Sequence, residues 1–336
     1  MLTKKQNLLE TIRGGKPDRF VNQFEAFAMV FGDPLMANAG PMPAPGGEAV
    51  NGWGVTIRWP EHVPGPFPVH DEEHKVVKDI TKWQQVVKAP SLETKEEDWT
   101  AIKEQAAAVD RDEQFVTVFG APGIFEQLHY LMGMDDTLIN FYEEPKAMHE
   151  LIEYITEYKL GVARELVKHV RPDCLLHHDD WGSQISSFMS PEMFKEFIVP
   201  AFKKIYSFYK ENGVELIVHH SDSYAANLVP YMIEMGIDIW QGCMSTNNIP
   251  ELIKKYGGQI SFMGGIDNGK VDRADWTEEK VAAETERVVR DVYDKVGNLY
   301  FIPNTTVGGP GSTYPGVYDA VSREIARLNK EIFNVG

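Results

Sequence analysis

The sequence predicts an α/β protein folded as one (β/α)8 TIM barrel spanning residues 1–336, and three observations carry that expectation. Seven short, mostly apolar runs recur along the chain, most of them separated by segments of helical periodicity. That alternation is the pattern of βαβ units whose parallel strands are buried on both faces. Nothing resembling G-x-G-x-x-G follows any of these runs, so the rival doubly wound sheet lacks its dinucleotide fingerprint. Polar and titratable residues gather where the runs end, and barrels of this kind keep their active sites at the carboxyl ends of the strands.

The runs are residues 20–26 (FVNQFEA), 115–119 (FVTVF), 173–177 (DCLLH), 215–219 (ELIVH), 237–241 (IDIWQ), 259–263 (QISFM) and 298–302 (NLYFI). An eighth is not evident. Helical segments cover 144–168, 191–210, 227–235, 277–295 and 318–332, with apolar residues three and four apart, as in Met193, Phe194, Phe197, Ile198 and Phe202. Ser190-Pro191-Glu192 places Ser at an N-cap and Pro at the first helical position. Residues 33–75 are rich in Pro and Gly. They are expected to form a long loop inserted after the first strand, lying over the C-terminal face of the strands, because loops of that length usually serve as lids or binding loops.

Composition narrows the function classes. Hydrophobic residues make up 43% and charged residues 25%, an ordinary globular balance. No apolar stretch approaches the roughly 20 residues of a membrane helix. The opening MLTKKQNLLETIRGGKPDRF is an amphipathic helix pattern without the apolar core of a signal peptide, so a cytoplasmic protein with no membrane partner is expected. Cys174 and Cys243 are the two cysteines, too few for a disulfide framework and suited to a reducing compartment. Lys and Arg number 33 against 50 Asp and Glu, for a net charge of −17. A field of that sign argues against a nucleic-acid partner.

At the strand ends stand Glu25, then Gly120 to Gly123, His177 to Gly182, His219 to Asp222, Gln241 to Cys243, Gly264 to Asn268 and Pro303 to Thr306. His220, Asp222 and Cys243 have the donor chemistry of zinc, and residues i and i+2 leaving a strand can point to one side. The plainer reading makes the histidines hydrogen-bonded core residues and Cys243 a small apolar one. His178, Asp179 and Asp180 could supply ligands or a general acid, while Asp180 and Asp267 could equally cap turns. Phe27, Trp53, Trp59, Trp181 and Trp240 lie at or near these ends, and an apolar pocket with a few convergent polar groups is the usual form of a small-molecule site.

The segment HDDWGSQ at 178–184, followed by SPEMFKEFIVP at 190–200, resembles the D-D-x-G…S-P-x-x-F-x-E-F-x-x-P signature of the uroporphyrinogen decarboxylase superfamily. Residues 220–238, with Pro230 and Met-Gly-Ile-Asp at 235–238, and Gly-Gly-Ile-Asp at 264–267 resemble it too. The likeness runs from about Thr3 onward, is most specific from residue 178, and is weak across 33–110. It implies a TIM barrel, and either a decarboxylase of porphyrinogens or a methyltransferase that passes methyl groups to or from corrinoids. Decarboxylases of the family carry an R-Q-A-G-R-Y-type segment near the N-terminus. The matching NQFEAFA at 22–28 has no arginine and one carboxylate, Glu25. The thiol-directed methyltransferases have H-x-C and a later Cys, both on zinc. Here His220-Ser221-Asp222 carries Asp at that place, and PNTTVGG at 303–309 has no Cys.

An oxygen-richer ligand set is a harder Lewis acid. The resemblance then implies the first methyltransferase of an O-demethylase system. Such an enzyme moves methyl from an aryl methyl ether, a small aromatic substrate, to the cob(I)alamin of a partner corrinoid protein. On this reading zinc sits at His220, Asp222 and Cys243, with Asp179, Asp180 and Asn304 as further candidates to complete the set. Asp180, His178 and Glu25 are the catalytic candidates. Phe27, Trp53, Trp59, Trp181, Trp240, Asp267 and Asn304 would form the substrate and corrinoid pocket. The alternatives are methyl transfer from methylcobalamin to a thiol of the coenzyme M type, a decarboxylase-like lyase, and a non-catalytic binding protein that kept the barrel and lost its chemistry; a homodimer is left open.

Overall fold

The computed structural model describes residues 1–63 and 65–335. Ten strands occur in chain order: β1 (Phe27–Met29), β2 (Glu48–Val50), β3 (Thr56–Arg58), β4 (Phe67–Pro68), β5 (Phe115–Gly120), β6 (Cys174–His178), β7 (Leu216–Ser223), β8 (Ile239–Cys243), β9 (Ser261–Ile266) and β10 (Phe301–Thr305). Seven of them form one parallel sheet in the order β1-β5-β6-β7-β8-β9-β10. Helices connect most successive strands, as the alternation of apolar runs and helical periodicity predicts. β2, β3 and β4 make a small antiparallel sheet of their own.

The sheet is curled. The chain entering β1 touches the last strand: the Phe20 and Phe301 rings stand 6.3 Å apart, and the Gln23 and Asn304 amides are 3.1 Å apart. One row of strand side chains, from Phe27 and Phe115 through Leu176, Val218, Ile239 and Met263 to Ile302, packs into a single inner core with Leu8 and Phe24. The alternate row, including Val118, Leu175, Ile217, Trp240 and Phe262, packs outward against the helices, as period-two side chains must on a sheet covered on both faces.

The eighth strand of a closed barrel is missing among the described residues, and no ladder joins β1 to β10. The reason is local. Gln23 adopts a φ of 51°, a left-handed conformation no strand tolerates, so the apolar run at 20–26 is not extended throughout and β1 begins only at Phe27. Residues 20–25 fill the gap by side-chain bonds instead. Gln23 donates to the Tyr318 carbonyl (3.0 Å) and Asn22 to the Ser322 carbonyl (2.9 Å) on the C-terminal helix.

Ser190 caps its helix as read from the sequence, its hydroxyl accepting from Met193 N at 3.2 Å. Residues 33–75 hold the short helix Pro34–Asn38 and the small sheet. They are fastened to the barrel by Trp53, whose ring meets Tyr158 at 5.0 Å. No described helix is long and apolar enough to cross a membrane.

Two irregularities shape the rim. The register slips between His220 and Ser223 on β7, and between Gln241 and Cys243 on β8. The second slip is a bulge at Gly242, with φ of 84°. A Cβ there would lie 2.9 Å from the Ser221 carbonyl and 3.0 Å from Asp222 N. Gly242→Ala should therefore cost at least about 1–2 kcal/mol of stability. Urea unfolding at neutral pH measures it, and a midpoint equal to that of the unsubstituted protein would mean the bulge is not strained.

Candidate metal centre

β6 and β7 run in register, with His177 opposite His219 and His178 opposite His220. Alternation sends the first pair outward and the second pair inward, to the rim of the barrel. The inward rings stack, with centroids 4.4 Å apart. Asp180, two residues beyond β6, brings Oδ1 to 3.7 Å from His220 Nε2. His178, Asp180 and His220 each offer a ligand atom within 4.8 Å of the others.

Hydrogen bonds fix which nitrogens are free. Gln241 Nε2 donates to the Val307 carbonyl at 2.9 Å. Its Oε1 therefore faces His220 Nδ1, 2.5 Å away, and Nδ1 carries the proton. His178 Nδ1 lies 2.9 Å from Glu126 Oε2, a carboxylate that can only accept. Each ring thus keeps Nε2 for the cluster, which is how partners behind a metal-binding histidine orient it. Gly308 lies against both rings: a Cβ would fall 3.2 Å from His220 Nδ1 and 3.3 Å from His178 Cδ2.

Glu126 is itself placed by Asp179. That buried carboxylate accepts from Phe125 N (3.0 Å) and Glu126 N (2.8 Å) at the start of helix Ile124–Met132, and from Trp181 Nε1 (2.9 Å). Gly123 permits the approach, since a Cβ would sit 2.2 Å from Asp179 Cγ.

The electrostatics show a shortage of positive charge. Burial, then the Glu126 carboxylate, push Asp179 up. Burial and Asp180 raise Asp222 to about 7, and Asp222 Oδ1 is buried with no partner among the described residues. Burial and the neighbouring His178 hold His220 low, hence neutral. Burial also works against charging His178, but the Glu126 hydrogen bond and charge, with Asp180 and Asp179, prevail and raise it to about 9. Two imidazoles, one carboxylate and surrounding acids make a donor set that fits a divalent cation and leaves positions open to a reactant.

The other sequence candidates are distributed as follows. Asp222 stands beside the cluster, its backbone N donating to Asp180 Oδ1 at 2.7 Å, but its carboxylate does not join the group. Cys243 does not join it either. The bulge at Gly242 turns it into the layer between sheet and helices, where burial pushes its thiol far up. Glu25 precedes β1, at the amino end opposite the rim, accepting from Asn22 N at 2.9 Å and raised by burial. Asn304 lies behind Gln241, the amides 2.8 Å apart. Asp267 caps the short helix Asn268–Val271 through Gly269 N.

The aromatics are mostly structural. Phe27 belongs to the inner core, and Trp53 and Trp240 to the outer one. Trp181 stacks on His219 at 3.9 Å, and Trp59 donates to the Val63 carbonyl at 2.9 Å. A cavity of about 530 Å³ does reach the cluster, at His178 and Glu126, and none of these aromatics lines it; Leu35, Met36, Phe119, Tyr130 and Tyr158 do. Glu126, Gln241 and Gly308 have roles that spacing does not signal, because each acts through a contact between distant segments.

Residues 50–325 match the uroporphyrinogen decarboxylase (URO-D) family, and the chain belongs to that family. Among solved structures it is similar to a methyltransferase from Methanosarcina mazei, at 14% identity and a TM-score of 0.64 over 98% of this chain and 99% of that one. At that identity the likeness is one of fold. No functionally curated protein matches the sequence significantly.

The metal-free protein should show His178 titrating near 9. Because its folded value lies above the ordinary 6.5, the stability it contributes is whole below pH 6.5 and lost as pH rises through about 9. Histidine NMR with denaturation at both ends of that window tests this. In Glu126→Gln the His178 titration should fall and the slope shrink; an unchanged titration would remove Glu126 from the account.

Proposed function

We propose that this chain is a corrinoid-dependent methyltransferase that takes a methyl group from a methoxylated aromatic and delivers it to the cob(I)alamin of a partner protein, with zinc held by His178, Asp180 and His220. The observation that carries the reading is the pair of imidazoles whose Nε2 atoms are freed toward one carboxylate by Gln241 and Glu126. Family membership and the fold shared with a methyltransferase support it.

Aryl oxide is a poor leaving group, and a zinc ion bound there supplies the Lewis acidity that eases its departure. The chain's own residues do the rest. Gln241 and Glu126 hold the two rings in the tautomers that present Nε2. Asp222, raised to about 7 and half-buried beside the cluster, would give a proton to the oxygen that keeps the bonding electron pair. The apolar cavity at His178 and Glu126 takes the aromatic body and excludes water from it. A thiol-directed reaction gains no support from Cys243, which faces the helix layer. Among the described residues no arginine lines the cavity to hold the many carboxylates of a porphyrinogen.

Elemental analysis of the purified protein and three variants tests the assignment. About one zinc per chain is expected, absent in His220→Ala and Asp180→Ala and kept in Asp222→Asn. Methyl transfer from an aryl methyl ether to a reduced corrinoid should vanish in the first two and drop about 10²–10⁴-fold in the third. Gln241→Ala should weaken metal binding about 10–100-fold. A metal-free wild-type protein, or an active His220→Ala, would overturn the reading.

A further inference from the structure

The cavity of about 530 Å³ lies between the ends of β5 and β6 and two helices, Pro145–Val170 and Val199–Glu211, and residues 33–42 also contribute to its wall. Most of that wall is apolar, from residues such as Leu35, Met42, Val162, Leu166, Leu175 and Ile205. Its polar lining outside the metal cluster and Glu126 comprises Lys159, His177, Asp33 and the tyrosines Tyr130, Tyr158 and Tyr209, and two of these, Lys159 and His177, offer bonding capacity toward the cavity.

Lys159 is partly exposed, toward the cavity that it lines, and is otherwise enclosed by protein. Its ammonium bonds to the Pro122 carbonyl. No carboxylate among the described residues comes within 4.0 Å of it. Glu126 is engaged by His178 at 2.9 Å, and Asp33 caps the helix Pro34–Asn38, accepting from Met36 N at 3.1 Å. An ammonium has three donors, and one is used. Burial lowers the group to about 8, which leaves it mostly charged at neutral pH.

The protons around His177 are fixed by a buried chain. His219 Nε2 lies 3.2 Å from the Asp179 carbonyl, so it carries the proton and Nδ1 is bare. The Tyr206 hydroxyl donates to that Nδ1 at 2.6 Å and accepts from His177 Nδ1 at 3.1 Å. His177 Nε2 is left as a bare acceptor on the cavity wall, beside Gly120. The cavity therefore combines a largely apolar body, a cation with no carboxylate within 4.0 Å among the described residues, and a bare imidazole nitrogen, while the Asp33 carboxylate on the same wall is engaged by Met36 N.

We propose that this cavity binds a small apolar carboxylic acid, its carboxylate on the Lys159 ammonium and a hydroxyl of its body donating to His177 Nε2. The site is anion-selective, and Lys159 sets that selectivity. On the methyltransferase reading, on which this assignment of the ligand as substrate rests, the donor is a methoxylated aromatic acid rather than a neutral ether.

Calorimetric titration of the full chain with 3-hydroxy-4-methoxybenzoate and its neutral isostere 3-hydroxy-4-methoxybenzamide tests the site without any methyl transfer. The acid should bind at least about tenfold more tightly than the amide. Lys159→Met should abolish that preference by weakening the acid far more than the amide, since the amide loses one hydrogen bond where the acid loses a charge pair as well. Val162→Phe, which fills the cavity and keeps the lysine, should weaken both ligands; it serves also if Lys159→Met does not fold. Equal affinities, a preference that survives in Lys159→Met, full binding in Val162→Phe, or no binding of either compound at millimolar concentration would overturn the proposal. A protein that binds the acid but transfers no methyl group overturns the methyltransferase reading alone. Transfer from the amide in preference to the acid overturns the present inference alone.

Discussion

The Tyr206 hydroxyl, wedged between His177 and His219, pins the two strands on which the site depends. β6 and β7 are apolar on both faces, so a slip of one residue would exchange Leu175 for Leu176 or Ile217 for Val218 at little hydrophobic cost. Alternation alone specifies register weakly on such strands. The four histidines remove the ambiguity. His177 and His219 find Tyr206 in the helix layer, at 3.1 and 2.6 Å, and His219 stacks on Trp181. With those two facing outward, His178 and His220 can only face inward, side by side. A slip would leave two imidazoles buried without partners, each at about 1–3 kcal/mol.

The motif at 178–184 divides its labour in the same way. Asp179 and Trp181 face the structure. The carboxylate caps the helix that begins at Ile124 and accepts from the indole. Asp180 faces the cluster. Because Asp179 fixes the first turn of that helix, it fixes Glu126, and Glu126 fixes the tautomer of His178. A residue that touches no ligand atom thus sets the proton on one that does. Burial, and then neighbouring carboxylates, raise Asp179 and Asp222, and that strain is what a divalent cation would relieve.

Much of the fold was legible because it rests on repetition. Six of the seven apolar runs became strands of the parallel sheet, most displaced by one to three residues, since runs include buried residues that precede the ladder. The first run failed at Gln23, whose left-handed backbone no propensity rule anticipates. In the site, the strand-end rule put His178, Asp180 and His220 among the candidates, yet neighbourhood depends on register, which one sequence does not print. Cys243 shows the cost of counting by twos: Gly242 adds one residue to its strand, and the side chain lands on the other face. The tryptophans were ambiguous for a related reason, since an indole needs a partner for its N–H wherever it is buried. Trp181 and Trp240 found theirs inside the protein.

His178 is where two spaces meet. On one side are His220 and Asp180 at the barrel rim; on the other are Glu126 and the cavity that runs out beneath the helices to Lys159. A reaction between a small donor and a cofactor borne by a second protein needs such a division, because a bulky acceptor can come only from the surface while the donor must be held and dried beforehand. The proposed roles meet that need with few parts. Lys159 and His177 hold the far end of the donor, the apolar wall excludes water from its body, and the cluster receives its oxygen. Binding energy gathered at Lys159 would then be spent on orienting a methyl group several residues away. The separation also explains why the anchoring lysine sits on a long helix of the outer layer and not on a loop, since a helix packed along its length holds a side chain to the tolerance that such alignment demands.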